Sequence, residues 1–162
     1  MSNYDENYAH THDIDLFCLD KNGKPIHIAS NGSLIATYFD EQRNADILNE
    51  ILSRETQSNK EVINQRAIVG TILDHAHFFF DRETAIESYL SSFSMMAQLG
   101  FCSYDVIGEK DNQFYCAKIA APKNNNENNS QNFPKLPDKC KLLNRNVDVQ
   151  NYYASKDNNT EE

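Results

Sequence analysis

Between residues 84 and 99 the apolar positions recur at helical spacing: Ala85, Ile86, Tyr89, Leu90, Phe93, Met96 and Ala97. One, four, five spacing of this kind predicts an amphipathic helix with a broad buried face. Thr84 and Glu87 have capping-box spacing, and Asp81 competes as the cap one turn earlier. Gly100 follows the last apolar residue, Leu99, and closes the helix.

Beyond Gly100 the period changes to two. Cys102, Tyr104 and Val106 alternate with Ser103 and Asp105, and a second apolar run spans Gln113 to Ala120. Glu109-Lys110-Asp111-Asn112 reads as a four-residue hairpin loop between them. That loop sets Val106 against Tyr115, Tyr104 against Ala117 and Cys102 against Ile119. All six side chains would then face the helix, with Cys102 and Cys116 on opposite faces and unable to form a disulfide. Pro122 ends the element.

A similar pattern opens the chain. Ile14 to Leu19 and Pro25 to Ala29 flank Asn22-Gly23, a strong two-residue hairpin signal. In that register Leu19 faces Ile26, Phe17 faces Ile28, and Cys18 faces His27 on the reverse side. Leu34, Ile35, Tyr38 and Phe39 form a short helical piece. A clearer helix spans about 40–54, with Ile47, Leu48, Ile51 and Leu52 as its stripe. Residues 55–60 read as polar loop. Residues 61–80 fit helix or strand, and the β-branched residues with Gly70 favour a strand near 67–73. The run Phe78-Phe79-Phe80 leads into the Asp81 cap.

The predicted fold class is α+β. A small antiparallel sheet is built from two β-hairpins, about 14–29 and 101–120, with helices about 40–54 and 84–99 packed on one face. Residues 1–12 read as a flexible N-terminus and 13–121 as a single domain. Residues 122–162 read as an Asn-rich, low-complexity and largely disordered tail. Within it, Cys140, Leu142, Leu143, Val147 and Val149 are able to dock a brief segment on the domain.

Charge sharpens this picture. The net charge is −9 over 162 residues. Residues 122–162 hold six basic and six acidic side chains, so the whole excess falls on residues 1–121. Such a surface repels phosphate backbones, which argues against direct nucleic-acid binding, and it speeds association with a basic partner. It also serves plain solubility. The cysteines, Cys18, Cys102, Cys116 and Cys140, lack CxxC spacing and read as free buried thiols. The N-terminus is polar and acidic, unlike a signal peptide, and no apolar run reaches membrane length. The expected location is cytoplasmic.

Four chemical candidates emerge. The pairs His10-Thr11-His12 and His75-Ala76-His77 would each point two imidazoles to one side of a strand, as metal-binding strands do. Such pairs are common by chance, and a site needs the fold to bring His10, His12, His75 and His77 together, with Asp74, Asp81, Asp13 or His27 supplying a further ligand. Cys18 opposite His27 resembles a thiolate–imidazole pair, with Asp15 or Asp20 orienting the ring. Ser30-Asn31-Gly32-Ser33 offers backbone N–H groups to a small anion. Phe114, Cys116, Leu16 and Cys18 would form an apolar strip on the far sheet face, open to a partner if nothing covers it.

The expected function is an acidic intracellular protein-binding module, in the manner of an inhibitor or immunity-type protein, docking on a basic partner. Two alternatives are a small metal-dependent hydrolase using the two HxH pairs and a structural subunit of a homo-oligomer joined through the far sheet face. No cofactor is expected.

Overall fold

The computed structural model describes residues 2–54, 60–62, 82–122 and 132–143. The strand expected near 67–73, the phenylalanine run, the Asp81 cap, His75 and His77 all lie outside these residues.

The class is α+β, and the sheet is mixed. Strands β1 (Asp15–Leu19), β2 (Pro25–Ala29), β3 (Lys60–Val62), β4 (Cys102–Lys110) and β5 (Gln113–Pro122) lie in the order β1-β2-β4-β5-β3. A short β6 (Cys140–Leu143) pairs with β5. Both expected hairpins form antiparallel pairs, but β2 runs parallel to β4 and β5 parallel to β6. The expected sheet was purely antiparallel. The chain between β2 and β4 is long enough to cross over, which two strands joined by a tight turn are not.

The first hairpin register differs from the expected one by a single residue, as does the second between Tyr104 and Val106. In the first, Phe17 pairs with His27 and Cys18 with Ile26. Asn22-Gly23 does not form a two-residue turn, because only Gly23 has positive φ, at 78°. Asp20 shapes a three-residue loop instead. Its Oδ1 accepts from the amides of Asn22 and Lys24, both at 2.9 Å, and its own N–H donates to the Lys24 carbonyl at 2.8 Å. In the second hairpin the tight turn is Asp111-Asn112, with φ of 55° and 61° in place of the four-residue loop. Lys110 pairs with Gln113, and a bulge between Val106 and Gly108 sets Val106 opposite Cys116.

A one-residue slip exchanges the faces of a strand. Cys102, Tyr104, Val106 and Cys116 share one core cluster with Leu16, Cys18, Ile26 and Ile28. Cys102 and Cys116 therefore share a face, contrary to the sequence reading, although all four cysteines remain free thiols. The opposite face carries Phe17 and Phe101, which pack against Ile47, Ile51 and Met96 from the two long helices and Leu99 just past the second.

Those helices are α2 (Glu41–Leu52) and α3 (Arg82–Gln98), close to the expected 40–54 and 84–99. Asp40 caps α2 by accepting from Arg43 N–H at 2.8 Å. At the end of α3, Phe101 N–H donates to Met96 C=O and Gly100 N–H to Ala97 C=O, the paired bonds of a Schellman turn. In α2, Ile47 and Ile51 are buried and Leu48 packs partly, while Leu52 is exposed.

Helices do not occupy one face alone. A short helix α1 (Glu6–Thr11) and a 3₁₀ turn (Leu34–Tyr38) cover the other face through Tyr4, Ala9, Ile35, Ala36 and Phe39. Leu16, Cys18, Phe114 and Cys116 are thus buried, and the apolar strip that an uncovered face would have offered to a partner is covered. The ordered fold begins before residue 13 and takes in residues 132–143. Phe133 stacks on Phe101, with ring centroids 5.9 Å apart. Leu19 N–H donates to Pro134 C=O at 2.7 Å and Leu136 N–H to Leu19 C=O at 2.8 Å. Further along, Phe114 N–H donates to Lys139 C=O at 2.8 Å, and β6 follows. One segment thus bonds to both β1 and β5. Among the described residues no helix is long and apolar enough to cross a membrane.

Candidate functional site

The most organised polar group in the described residues runs across the sheet beneath α3. His27 sits in the middle of β2, with Phe17 beside it on β1 and Ser103 on β4. The His27 ring is closed off by Phe17, 5.5 Å between centroids, and by Phe93 of α3 at 6.2 Å. Its Nε2 lies 2.7 Å from Asp15 Oδ1 and its Nδ1 lies 2.6 Å from Ser103 Oγ. With a neutral ring, Nε2–H donates to the Asp15 carboxylate and Ser103 O–H donates to Nδ1; with a charged ring both nitrogens donate. Either way the buried imidazole is fully bonded.

These are the residue types and distances of a hydrolytic Ser–His–Asp set. Access runs the wrong way for that use. Ser103 and His27 have no exposed surface, and Asp15, at 37 % exposure, is the end that meets solvent. A nucleophile must reach substrate, whereas here the carboxylate does. What this arrangement accomplishes is to bind β1, β2 and β4 together across the sheet. Asp105, also buried, lies one pleat further along the same face.

Asn44 of α2 completes this side. Its Oδ1 accepts from Phe17 N–H at 3.1 Å, and its Nδ2 donates to Asp15 C=O at 2.8 Å and to the Tyr4 hydroxyl at 3.0 Å. The first two groups belong to the outer edge of β1, which has no strand partner there among the described residues. One side chain therefore stands in for a missing strand. Burial pushes the Tyr4 phenol upward, and the Asn44 bond partly offsets this.

The other candidates fall in separate places. His10 is the penultimate residue of α1 and His12 its C-cap, so this pair lies at a helix end and not on a strand. A helix separates residues two apart by roughly 200° of rotation, since it turns once every 3.6 residues. His12 stacks on Tyr8 with centroids 3.8 Å apart, and its Nδ1 lies 2.9 Å from Tyr8 C=O. Its partners in the metal reading, His75 and His77, are outside the described residues, among which no three ligand-type side chains gather around a common point.

Cys18 and His27 are on opposite faces, which removes the thiolate–imidazole pair. The Cys18 thiol is pushed strongly up, first by burial and then by Cys140 and Asp20. Cys116 is pushed up in the same way, and burial moves Cys140 to about 12. Thiols held this way are poor nucleophiles. The Ser30–Ser33 turn does bind an anion with a backbone amide, but the anion is the chain's own: Asn31 N–H donates to Asp13 Oδ1 at 2.8 Å.

Sequence patterning revealed only part of the Asp15–His27–Ser103 chain. It did set Asp15 or Asp20 against the His27 ring, and Asp15 is the one found there; Ser103 was not anticipated. No protein-family profile matches this chain, and comparison with curated proteins and with solved structures finds no match.

Proposed function

We propose that this protein is a binding module that docks through its acidic surface on a basic protein partner, as small inhibitors and immunity-type proteins do. One observation carries the reading. From residue 1 to residue 20 the chain has five carboxylates, Asp5, Glu6, Asp13, Asp15 and Asp20, and no lysine or arginine. The first three are exposed and the last two half-buried, so this stretch turns carboxylates toward solvent. Asp15 is paired with His27, and Glu50 with Arg54. Charge of this kind chiefly sets encounter rate and partner choice.

The test is a pull-down across a salt series. Captured partners should be basic, and the yield should fall as the Debye length shrinks from about 30 Å at 0.01 M salt to about 8 Å at 0.15 M. A yield indifferent to salt would remove the basis for the proposal.

A further inference from the structure

We infer that Cys140 is a modification site for small-molecule disulfides, reached when segment 132–143 lifts from the sheet while the rest of the fold holds.

The segment is a strap across the seam between β1 and β5. Its main chain is fixed to β1 at Leu19 alone, and to β5 by the four residues of β6 and the bond from Phe114. Pro134 and Pro137 bring no N–H to either edge. Phe133 anchors the strap in one core cluster, and Leu136, Cys140 and Leu142 anchor it in the other. Two surface contacts add to these: Arg43 Nε donates to Asn132 C=O at 2.8 Å, and Lys139 lies 5.5 Å over the Tyr38 ring. The β1–β2 and β4–β5 pairs, in contrast, are ladders along whole strands. A segment with this little main-chain pairing opens at less cost than those ladders do.

Three of the four thiols meet at the seam. Cys18 comes from β1, Cys116 from β5 and Cys140 from the strap, all in one cluster. A charge on Cys140 would raise both Cys18 and Cys116, which makes the three sulfurs neighbours. They are nonetheless too spread to share a metal ion. When the strap lifts, Cys18 and Cys116 stay on the sheet and Cys140 leaves it.

Docked, Cys140 is 2 % exposed and burial keeps it a thiol, so it is inert. Lifted, it regains water and an ordinary acidity. Its thiolate then attacks one sulfur of a disulfide such as oxidised glutathione. The S–S bond of the reagent breaks and a mixed disulfide forms on Cys140. One glutathione leaves and takes up the proton that Cys140 gave. A tripeptide on this sulfur does not fit a packed cluster. The modified strap therefore stays off, and Leu19 and Phe114 lose their main-chain partners until a reductant removes the adduct.

The test treats the full, reduced chain with oxidised glutathione across a series of low urea concentrations. Site-resolved mass spectrometry gives the rate at each cysteine, and circular dichroism gives global unfolding. Cys140 should be modified ahead of Cys18 and Cys116, with a shallower urea dependence than global unfolding. In the adduct the amide signals of Leu19 and of residues 114–117 should move by NMR while those of residues 26–29 hold, and dithiothreitol should restore the native spectrum. Phe133→Leu, at the strap's anchor, should speed Cys140 modification about tenfold. Ile28→Val, in β2, should lower global stability and leave the Cys140 rate without urea unchanged. Equal acceleration by the two variants, a Cys140 rate that tracks global unfolding, or an adduct with unmoved Leu19 signals overturns the inference.

Discussion

Asn44 shows how much a single side chain can hold. It serves two backbone groups on the edge of β1 and the Tyr4 hydroxyl, while 3 % exposed. Asn44→Ala leaves buried polar groups without partners, and such a group costs about 1–3 kcal/mol. The urea midpoint should fall accordingly, with little change in slope. The histidine chain should show graded costs. Ser103→Ala strands a fully buried imidazole nitrogen and should cost about 1–3 kcal/mol. Asp15→Ala should cost less, because water reaches that end. Equal midpoints for the two variants would contradict the inward direction of the chain. The thiols make a prediction about alkali. Cys18, Cys116 and Cys140 are all raised above the ordinary value of 9.0, the last to about 12. The unfolded chain gives up these protons near pH 9.0 and the folded chain keeps them, so unfolding is favoured as pH rises. Their contribution is therefore complete below that pH and lost on the way to pH 12. Denaturation midpoints measured from pH 7 to pH 11 should decline over the upper half of the range.

Among the elements, long periodic patterns were legible and short turns were not. The two long helices lie within three residues of where spacing and caps put them, and both hairpins exist. The loops failed because turn type depends on φ at one or two residues, which composition only biases. Asn22 stays out of the left-handed region and Asn112 enters it. With the loops went the faces, so polar Ser103 and Asp105, which read as the solvent side, are buried. The place of Ser103 in the buried polar chain was illegible for the same reason: alternation reports that two faces differ, and here the more polar of the two is also enclosed. The glycines test the loop geometry directly. Gly23 has φ of 78° with open space where a Cβ would stand, so Gly23→Ala should cost only the left-handed penalty, about 1–2 kcal/mol. Gly32, at 70°, would set a Cβ 3.2 Å from the His10 carbonyl oxygen. Gly32→Ala should therefore be the more destabilising of the two by thermal melting.

At the scale of the molecule, the sheet is enclosed on both faces, and the segment 132–143 joins its two sides. Phe133, Leu136 and Cys140 reach the two core clusters, and the main chain bonds to Leu19 and Phe114. The apolar residues Cys140, Leu142 and Leu143 made the docking of β6 legible, whereas the proline-framed stretch before it carries little periodicity. The order of synthesis then matters. A ribosome makes β1 first and its last edge partner only after more than a hundred further residues. Until Pro134 and Leu136 emerge, Leu19 keeps an unmatched amide and carbonyl, and Phe17 lacks the aromatic neighbour Phe133. A nascent chain at that stage carries a strand edge open to any other strand, and early termination would produce a polypeptide prone to self-association in place of a merely shorter protein.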